Sequence, residues 1–198
     1  MMNEIFANME DIVVVYIDDI MIFTKGSLAE HQAKVKKVLQ RLHNNDLFAC
    51  PEKCSFDKTE VDYLGMFVNR DGIRMDDSKV KAIMDWPAPT MVHSVCSFLG
   101  LANFYHQFIK DYVTLAKPLM DLLQKDKAVT WGSAEANAFA SLKTRFTTAP
   151  ILAYPDNDCQ FRLETDASDF ATGAVLSIQK DDKWHPIAFS SHAMSLEE

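Results

Sequence analysis

Apolar positions change their period along this chain, and each change marks a new element. Ile12-Val13-Val14-Val15-Tyr16-Ile17 and Ile20-Met21-Ile22-Phe23 are apolar, β-branched runs on either side of Asp18-Asp19. They are too short to span a membrane and too β-branched for a comfortable helix, so they predict two buried strands joined by an Asp-Asp turn. Before them, Met2, Ile5, Phe6 and Met9 recur at helical spacing and predict the end of an amphipathic helix. After them, Ser27 followed by Glu30 has the capping-box pattern. It opens a helix over 28–44 with Leu28, Val35, Val38, Leu39 and Leu42 facing inward, closed by Asn44-Asn45-Asp46. Residues 47–49 and 54–56 read as short strands around Pro51.

The second half alternates hairpin and helix patterns. Residues 61–68 read as one strand that returns through Asp71-Gly72. Asp77 or Ser78 caps a helix through Val80, Ile83 and Met84, which Pro87 and Pro89 end. A long helix is predicted from Val92 to Ile109, with Val95, Phe98, Leu99, Ala102, Tyr105 and Ile109 as its core stripe. A short helix follows from Leu115 through Leu123, then a solvated link at Lys125-Asp126-Lys127 and an amphipathic helix over 135–147. Strands are predicted over 160–166, 173–179 and 184–190, with turns at Ala167-Ser168-Asp169 and Asp181-Asp182. The fold class is α+β.

Composition changes this picture little. The chain has 198 residues, 48% hydrophobic, which is enough for one or two domains with a buried core. Its net charge of −8 argues against a uniformly basic nucleic-acid binder, although a cleft can gather its cations locally. No apolar run reaches membrane-spanning length and no leader pattern opens the chain, so an intracellular location, cytoplasmic or nuclear, is expected. Cys50, Cys54, Cys96 and Cys159 are scattered and read as free thiols. Cys50 and Cys54 with His43 lack the second ligand pair that a zinc site needs.

The chemistry concentrates at Asp18 and Asp19. Neighbouring carboxylates repel, and a hydrophobic hairpin presents them at a cost unless cations neutralise them. Magnesium is held by such hard oxygens, completed by water and substrate phosphates. The competing reading is a plain solvated turn. Tyr16-Ile17-Asp18-Asp19 resembles the Tyr-x-Asp-Asp signature of reverse transcriptases, and the text from Met2 to Ile20 resembles gypsy-type long-terminal-repeat retrotransposons. Three later stretches carry the same resemblance: Tyr63-Leu64-Gly65-Met66, the run Ser97 to Tyr105, and Thr165-Asp166-Ala167-Ser168 with Gly173-Ala174-Val175-Leu176.

The resemblance implies part of a retrotransposon Pol polyprotein: an RNA-directed DNA polymerase working by two-metal nucleotidyl transfer, with the start of an RNase H-like domain. It implies a palm portion over 1–77, a helical thumb over 78–128, a connection over 129–159 and a truncated RNase H-like segment over 160–198. Asp18, Asp19 and Asp166 would be catalytic and metal-binding, with Mg2+ as cofactor and Mn2+ as its substitute. Tyr63, Leu64, Gly65 and Met66 would form the primer grip, while Tyr16, Cys96, Gly100 and Phe104 would face nucleic acid. Partners would be an RNA or DNA template–primer and deoxynucleoside triphosphates.

The sequence also departs from the family. The fingers and first catalytic aspartate are expected upstream, and the remaining nuclease carboxylates downstream. His106-Gln107 stands where basic residues are expected, and 91–97 carries no lysine or arginine. Glu197 and Glu198 lie too close to the third strand to supply the missing nuclease glutamate. The isolated chain is therefore expected not to extend primers. A degenerate fragment that at most binds nucleic acid, and a non-enzymatic scaffold, are the alternatives.

Overall fold

In the computed structural model, which describes residues 2–124 and 130–194, the chain forms two units, 1–63 and 64–198. In the first, strands β1 (Val13–Tyr16) and β2 (Asp19–Ile22) pair antiparallel with Val13 opposite Ile22 and Tyr16 opposite Asp19. The turn is therefore Ile17-Asp18, one residue earlier than the expected Asp-Asp, and Asp19 opens β2. Ile17 takes φ 56°, a left-handed conformation that a β-branched side chain resists.

Helix α1 (Met2–Ile5) leads into Phe6, Met9, Ile12 and Val13, which pack with Val38 and Leu42 of α2 (Leu28–His43). Both halves of the predicted capping box are present: the Glu30 amide donates to Ser27 Oγ at 3.3 Å, and the Ser27 amide donates to Glu30 Oε2 at 2.7 Å. The inward stripe is narrower than the pattern implied, because Leu28 and Leu39 are exposed. The two short strands expected around Pro51 are absent. A single 3-10 turn, Pro51–Lys53, occupies this stretch, and the unit closes with β3 (Glu60–Tyr63).

The second unit opens on consecutive left-handed residues, Leu64 (φ 54°) and Gly65 (φ 74°). They interrupt the strand expected over 61–68. Strands β4 (Met66–Asn69) and β5 (Ile73–Met75) then form a hairpin whose loop is held by Asn69 Oδ1, which accepts from the Asp71 and Gly72 amides at 2.9 and 3.2 Å. Helix α3 (Asp77–Met84) is capped one residue earlier than expected, by the Asp76 carboxylate accepting from the Ser78 amide at 2.7 Å.

Helix α4 (Val92–Phe104) stops short of the expected Ile109. Tyr105 leaves the helical region and a 3-10 turn, His106–Phe108, carries Phe108 and Ile109 into the core. That core packs Phe98, Ala102 and Tyr105 against Leu119 of α5 (Tyr112–Asp121) and Phe139, Leu142 and Phe146 of α6 (Ser133–Thr147). The solvated link expected at Lys125-Asp126-Lys127 lies outside the described residues, as do Glu197 and Glu198.

The chain then reaches a meander. Ile73 and Leu152 exchange backbone hydrogen bonds at 2.8 and 2.9 Å, and the Ala153 amide donates to the Pro186 carbonyl at 2.8 Å. Strands β6 (Phe161–Ala167), β7 (Ala171–Lys180) and β8 (Lys183–Ala193) pair antiparallel in the order β6-β7-β8. Asp181 and Asp182 both take positive φ, as a two-residue hairpin turn with right-handed twist requires. Among the described residues no helix is long and apolar enough to cross a membrane.

Candidate active-site residues

Three places carry the residues singled out above. The first is the tip of the β1–β2 hairpin. Val13 and Ile12 are buried at its base, whereas Tyr16, Ile17, Asp18 and Asp19 are exposed at its end. The ladder thus anchors a tip with two adjacent carboxylates and an exposed aromatic ring. Tyr63 belongs to the same unit. Burial raises its phenol above the ordinary tyrosine value, and the Asp19 carboxylate raises it further. Its hydroxyl is buried with no hydrogen-bond partner. An unpaired buried hydroxyl is a cost the fold carries, and here it lies within the electrostatic reach of one candidate metal ligand.

Two exposed carboxylates on a fixed turn suit a hard cation that keeps most of its own water. Among the described residues no three His, Cys, Asp or Glu side chains gather into a ligand cage. Asp18 and Asp19 therefore fit a divalent ion as an open, two-carboxylate set.

The second place is the Leu64-Gly65 turn and the helix that holds it. The Tyr105 hydroxyl donates to the Gly65 carbonyl at 2.6 Å, and Gln107 Nε2 donates to Met66 Sδ at 3.3 Å. The Phe104 ring passes beside Gly65, 3.6 Å from where a side chain there would begin. Sequence reasoning missed Tyr105 and Gln107 as supports of the turn; their apolar and polar positions in the helix pattern gave no cue to a partner some forty residues earlier. Cys96, Gly100 and Phe104 share an exposed face of α4, and a side chain at Gly100 would meet nothing within 4 Å. That face also shows His93, Ser97 and Asn103, with no lysine or arginine within α4.

The third place is Asp166, near the end of β6 and directly opposite Gly173. Its Oδ1 accepts from the Ala167 amide at 2.9 Å, and Asp166 lines a shallow concavity with Thr165, Thr172, Gly173 and Ser190. Asp111 was not legible as a neighbour of this row. It begins α5 in a left-handed conformation, φ 58°, and its Oδ1 lies 2.9 Å from the point where a Gly173 side chain would start. Beside it, the Val113 amide donates to Ser191 Oγ at 3.1 Å, and Ser191 is the cross-strand partner of Gly173. Residues from three separate stretches therefore meet along the row Asp166–Gly173–Ser191.

Comparisons with known proteins give family matches at both ends of the chain. Residues 1–68 match the family described as reverse transcriptase (RNA-dependent DNA polymerase), and residues 131–198 match the RNase H-like domain found in reverse transcriptase. The Pol polyprotein of transposon 297 from Drosophila melanogaster is 40% identical over 92% of this chain and 17% of its own length. That of transposon gypsy from the same organism is 38% identical over 82% of this chain and 17% of its own length. The transposon Tf2-3 polyprotein of Schizosaccharomyces pombe is 36% identical over 94% of this chain and 14% of its own length. The chain thus spans about a sixth of the length of these curated relatives. The fold is that of a solved foamy viral protease-reverse transcriptase in complex with double-stranded DNA, with TM-score 0.82, 22% identity, and coverage of 98% of this chain and 34% of that one. The same viral protein in complex with an RNA/DNA hybrid gives TM-score 0.81 over 98% of this chain and 26% of that one. On these matches the chain carries reverse-transcriptase sequence over residues 1–68 and RNase H-like sequence over residues 131–198, and over most of its length it is similar to the Pol polyproteins of gypsy and related retrotransposons.

Proposed function

We propose that this chain supplies the metal-bearing hairpin, primer grip and thumb of an RNA-directed DNA polymerase, followed by the first strands of its RNase H-like domain. The proposed organisation is palm over 1–77, thumb over 78–128, connection over 129–159 and RNase H-like segment over 160–198. One observation carries the reading: Asp18 and Asp19 stand exposed at the tip of the β1–β2 ladder, with Tyr16 two residues before Asp18.

Asp18 and Asp19 would hold Mg2+, or Mn2+ in its place, together with the phosphates of an incoming deoxynucleoside triphosphate. When bound, such divalent ions would offset charge on the attacking and leaving oxygens of a phosphoryl transfer. The remaining work falls to the protein. The Tyr63–Met66 turn would hold the primer terminus, and Tyr105 fixes that turn through the Gly65 carbonyl. A rigid clamp matters because misplacing the 3′ hydroxyl by an ångström forfeits most of the benefit of proximity. The α4 face at Cys96, Gly100 and Phe104 would follow the duplex, with Gly100 leaving room for close approach. Asp166 would contribute one carboxylate to the nuclease.

Among the described residues no third ligand joins the two carboxylates, and in isolation the chain is not expected to extend primers. A second reading, a fragment that only binds nucleic acid weakly, draws support from the absence of cationic side chains on α4. The test is Mn2+-induced broadening of backbone resonances, alone and with a template–primer and nucleotide. Broadening centred on Ile17–Ile20 and lost in Asp18→Asn and Asp19→Asn supports the proposal. Broadening that ignores both substitutions refutes it, and primer extension by the chain alone would refute the expected inactivity.

A further inference from the structure

The segment that leads from α6 into the meander is held on both sides. Leu152 exchanges two backbone hydrogen bonds with Ile73 of β5, at 2.8 and 2.9 Å, in an antiparallel bridge. In an extended segment neighbouring residues turn their peptide groups to opposite sides. The next amide, from Ala153, accordingly points the other way and donates to the Pro186 carbonyl of β8 at 2.8 Å. Tyr154 then returns to the first side through its side chain. Its hydroxyl lies 2.8 Å from the Asn69 carbonyl and 3.0 Å from the Gly72 carbonyl, and it shares its one proton between them. Those two residues close the β4–β5 loop, where the Asn69 amide also donates to the Gly72 carbonyl at 3.1 Å. The approach is so close that a side chain at Gly72 would run into the Leu152 carbonyl and Ile151 Cγ2. Leu152 and Met75 are buried in the same core.

We propose that residues 152–154 clamp the β4–β5 hairpin to the meander, with Tyr154 as a positioning residue, so that hairpin and meander move as one body. Helices α3 to α6 lie between Met75 and Leu152 in the chain. Covalent connection alone would let the hairpin and the meander drift with every flexing of that helical path, and the clamp bypasses it. Tyr154 grips the loop itself, holding a carbonyl on either side of the turn to one rigid ring. A tyrosine swings on only two torsions, so making the bond costs little side-chain freedom. The inference rests on the reading of Leu64, Gly65 and Met66 as part of the primer grip. Met66 opens β4, so tying the hairpin to the meander sets the distance from the primer terminus to Asp166 on β6. Tyr105 orders the turn, whereas Tyr154 places the hairpin that carries it.

Distance measurement by electron paramagnetic resonance on the full chain tests this. Spin labels go on Asp71→Cys in the hairpin loop and Lys183→Cys at the start of β8, both exposed, with Cys50, Cys54, Cys96 and Cys159 replaced by serine. A single narrow distance distribution is expected. Tyr154→Phe keeps the ring and removes the donor, and the narrow distribution is lost. In the same variant the Ile73 amide exchanges about fivefold faster, the worth of one hydrogen bond. Leu142→Val lowers stability from within α6 without touching the clamp, and leaves the distribution narrow. A bond that only stabilises would lower stability in Tyr154→Phe without broadening the distribution, and that result overturns the proposal. So does a broad distribution in the parent chain. Exchange is measured with the native cysteines in place, so an unchanged Ile73 rate in Tyr154→Phe refutes the clamp even if the serine background does not fold. Neither measurement needs nucleic acid. A chain that passes both, but whose Leu64-Gly65-Met66 turn fails to crosslink to a primer with a photoreactive 3′ end, keeps the clamp and loses the primer-grip reading.

Discussion

The Tyr105 hydroxyl and the Gly65 carbonyl, forty residues apart in sequence, are joined by a 2.6 Å hydrogen bond. It ties the end of α4 to a turn whose two central residues both occupy left-handed backbone space. Tyr105→Phe keeps the ring in the core and removes only this donor. Stability should fall by about 1 kcal/mol, the usual net worth of one such bond, read from urea unfolding. If the turn is the primer grip, the same variant in a complete polymerase should raise KM for template–primer while leaving hairpin metal binding unchanged.

Gly100 has the opposite character, since nothing packs against it. Gly100→Ala should stabilise α4 by about 0.5–1 kcal/mol through helix propensity alone. If that face follows a duplex, the variant should also bind a fluorescent template–primer more weakly. A gain in both stability and affinity would remove Gly100 from the nucleic-acid face.

Gly173 is constrained by its neighbour rather than by its own backbone. A methyl group there would start 2.9 Å from Asp111 Oδ1, so the carboxylate must move. Gly173→Ala should cost about 1 kcal/mol, and far less in an Asp111→Gly background, where glycine also suits the left-handed backbone. A double-mutant cycle on unfolding free energies measures this coupling.

Tyr112 is fully buried and its hydroxyl has no partner, so desolvation pushes its pKa up to about 12. The unfolded chain ionises at about 10. Between those values the folded state keeps a proton that the unfolded state has lost, so stability is intact below pH 10 and declines as pH rises toward 12. Tyr112→Phe should remove that part of the decline. It should also stabilise the protein by about 1 kcal/mol at neutral pH, because an unsatisfied polar group is gone. Denaturation curves of both proteins from pH 8 to pH 12 check the two effects together.

Where hydrophobic period and turn chemistry agreed, the elements were readable: the β1–β2 ladder, the Ser27 cap, α6 and the Asp181-Asp182 turn. Family resemblance was readable from residue identity instead, since of its motifs only Tyr16-Ile17-Asp18-Asp19 lies on one of those elements. The errors fall where one cue outvoted another. Asp18-Asp19 looked like the turn because aspartate tolerates positive φ, yet the ladder register puts Ile17 there instead. The alternation from Val61 to Val68 runs straight through Leu64-Gly65 and hides a break that only glycine hinted at. No glycine or proline marks the end of α4, so its stop at Phe104 depends on where Phe108 and Ile109 find the core. The nearness of Asp111 to Gly173 could not be seen at all, because it depends on how α5 meets the meander.

Ile17 gives the first hairpin an unequal resistance to heat. A β-branched residue held at φ 56° costs on the order of 1–3 kcal/mol, and only the paired strands beneath it keep it there. On warming, release of that residue rewards unzipping from the aspartate end, while the buried base at Ile12 and Val13 stays closed. Amide exchange should therefore quicken at Tyr16 to Asp19 well before it does at Val13, so the two acids would lose their aim while the rest of the unit is still folded.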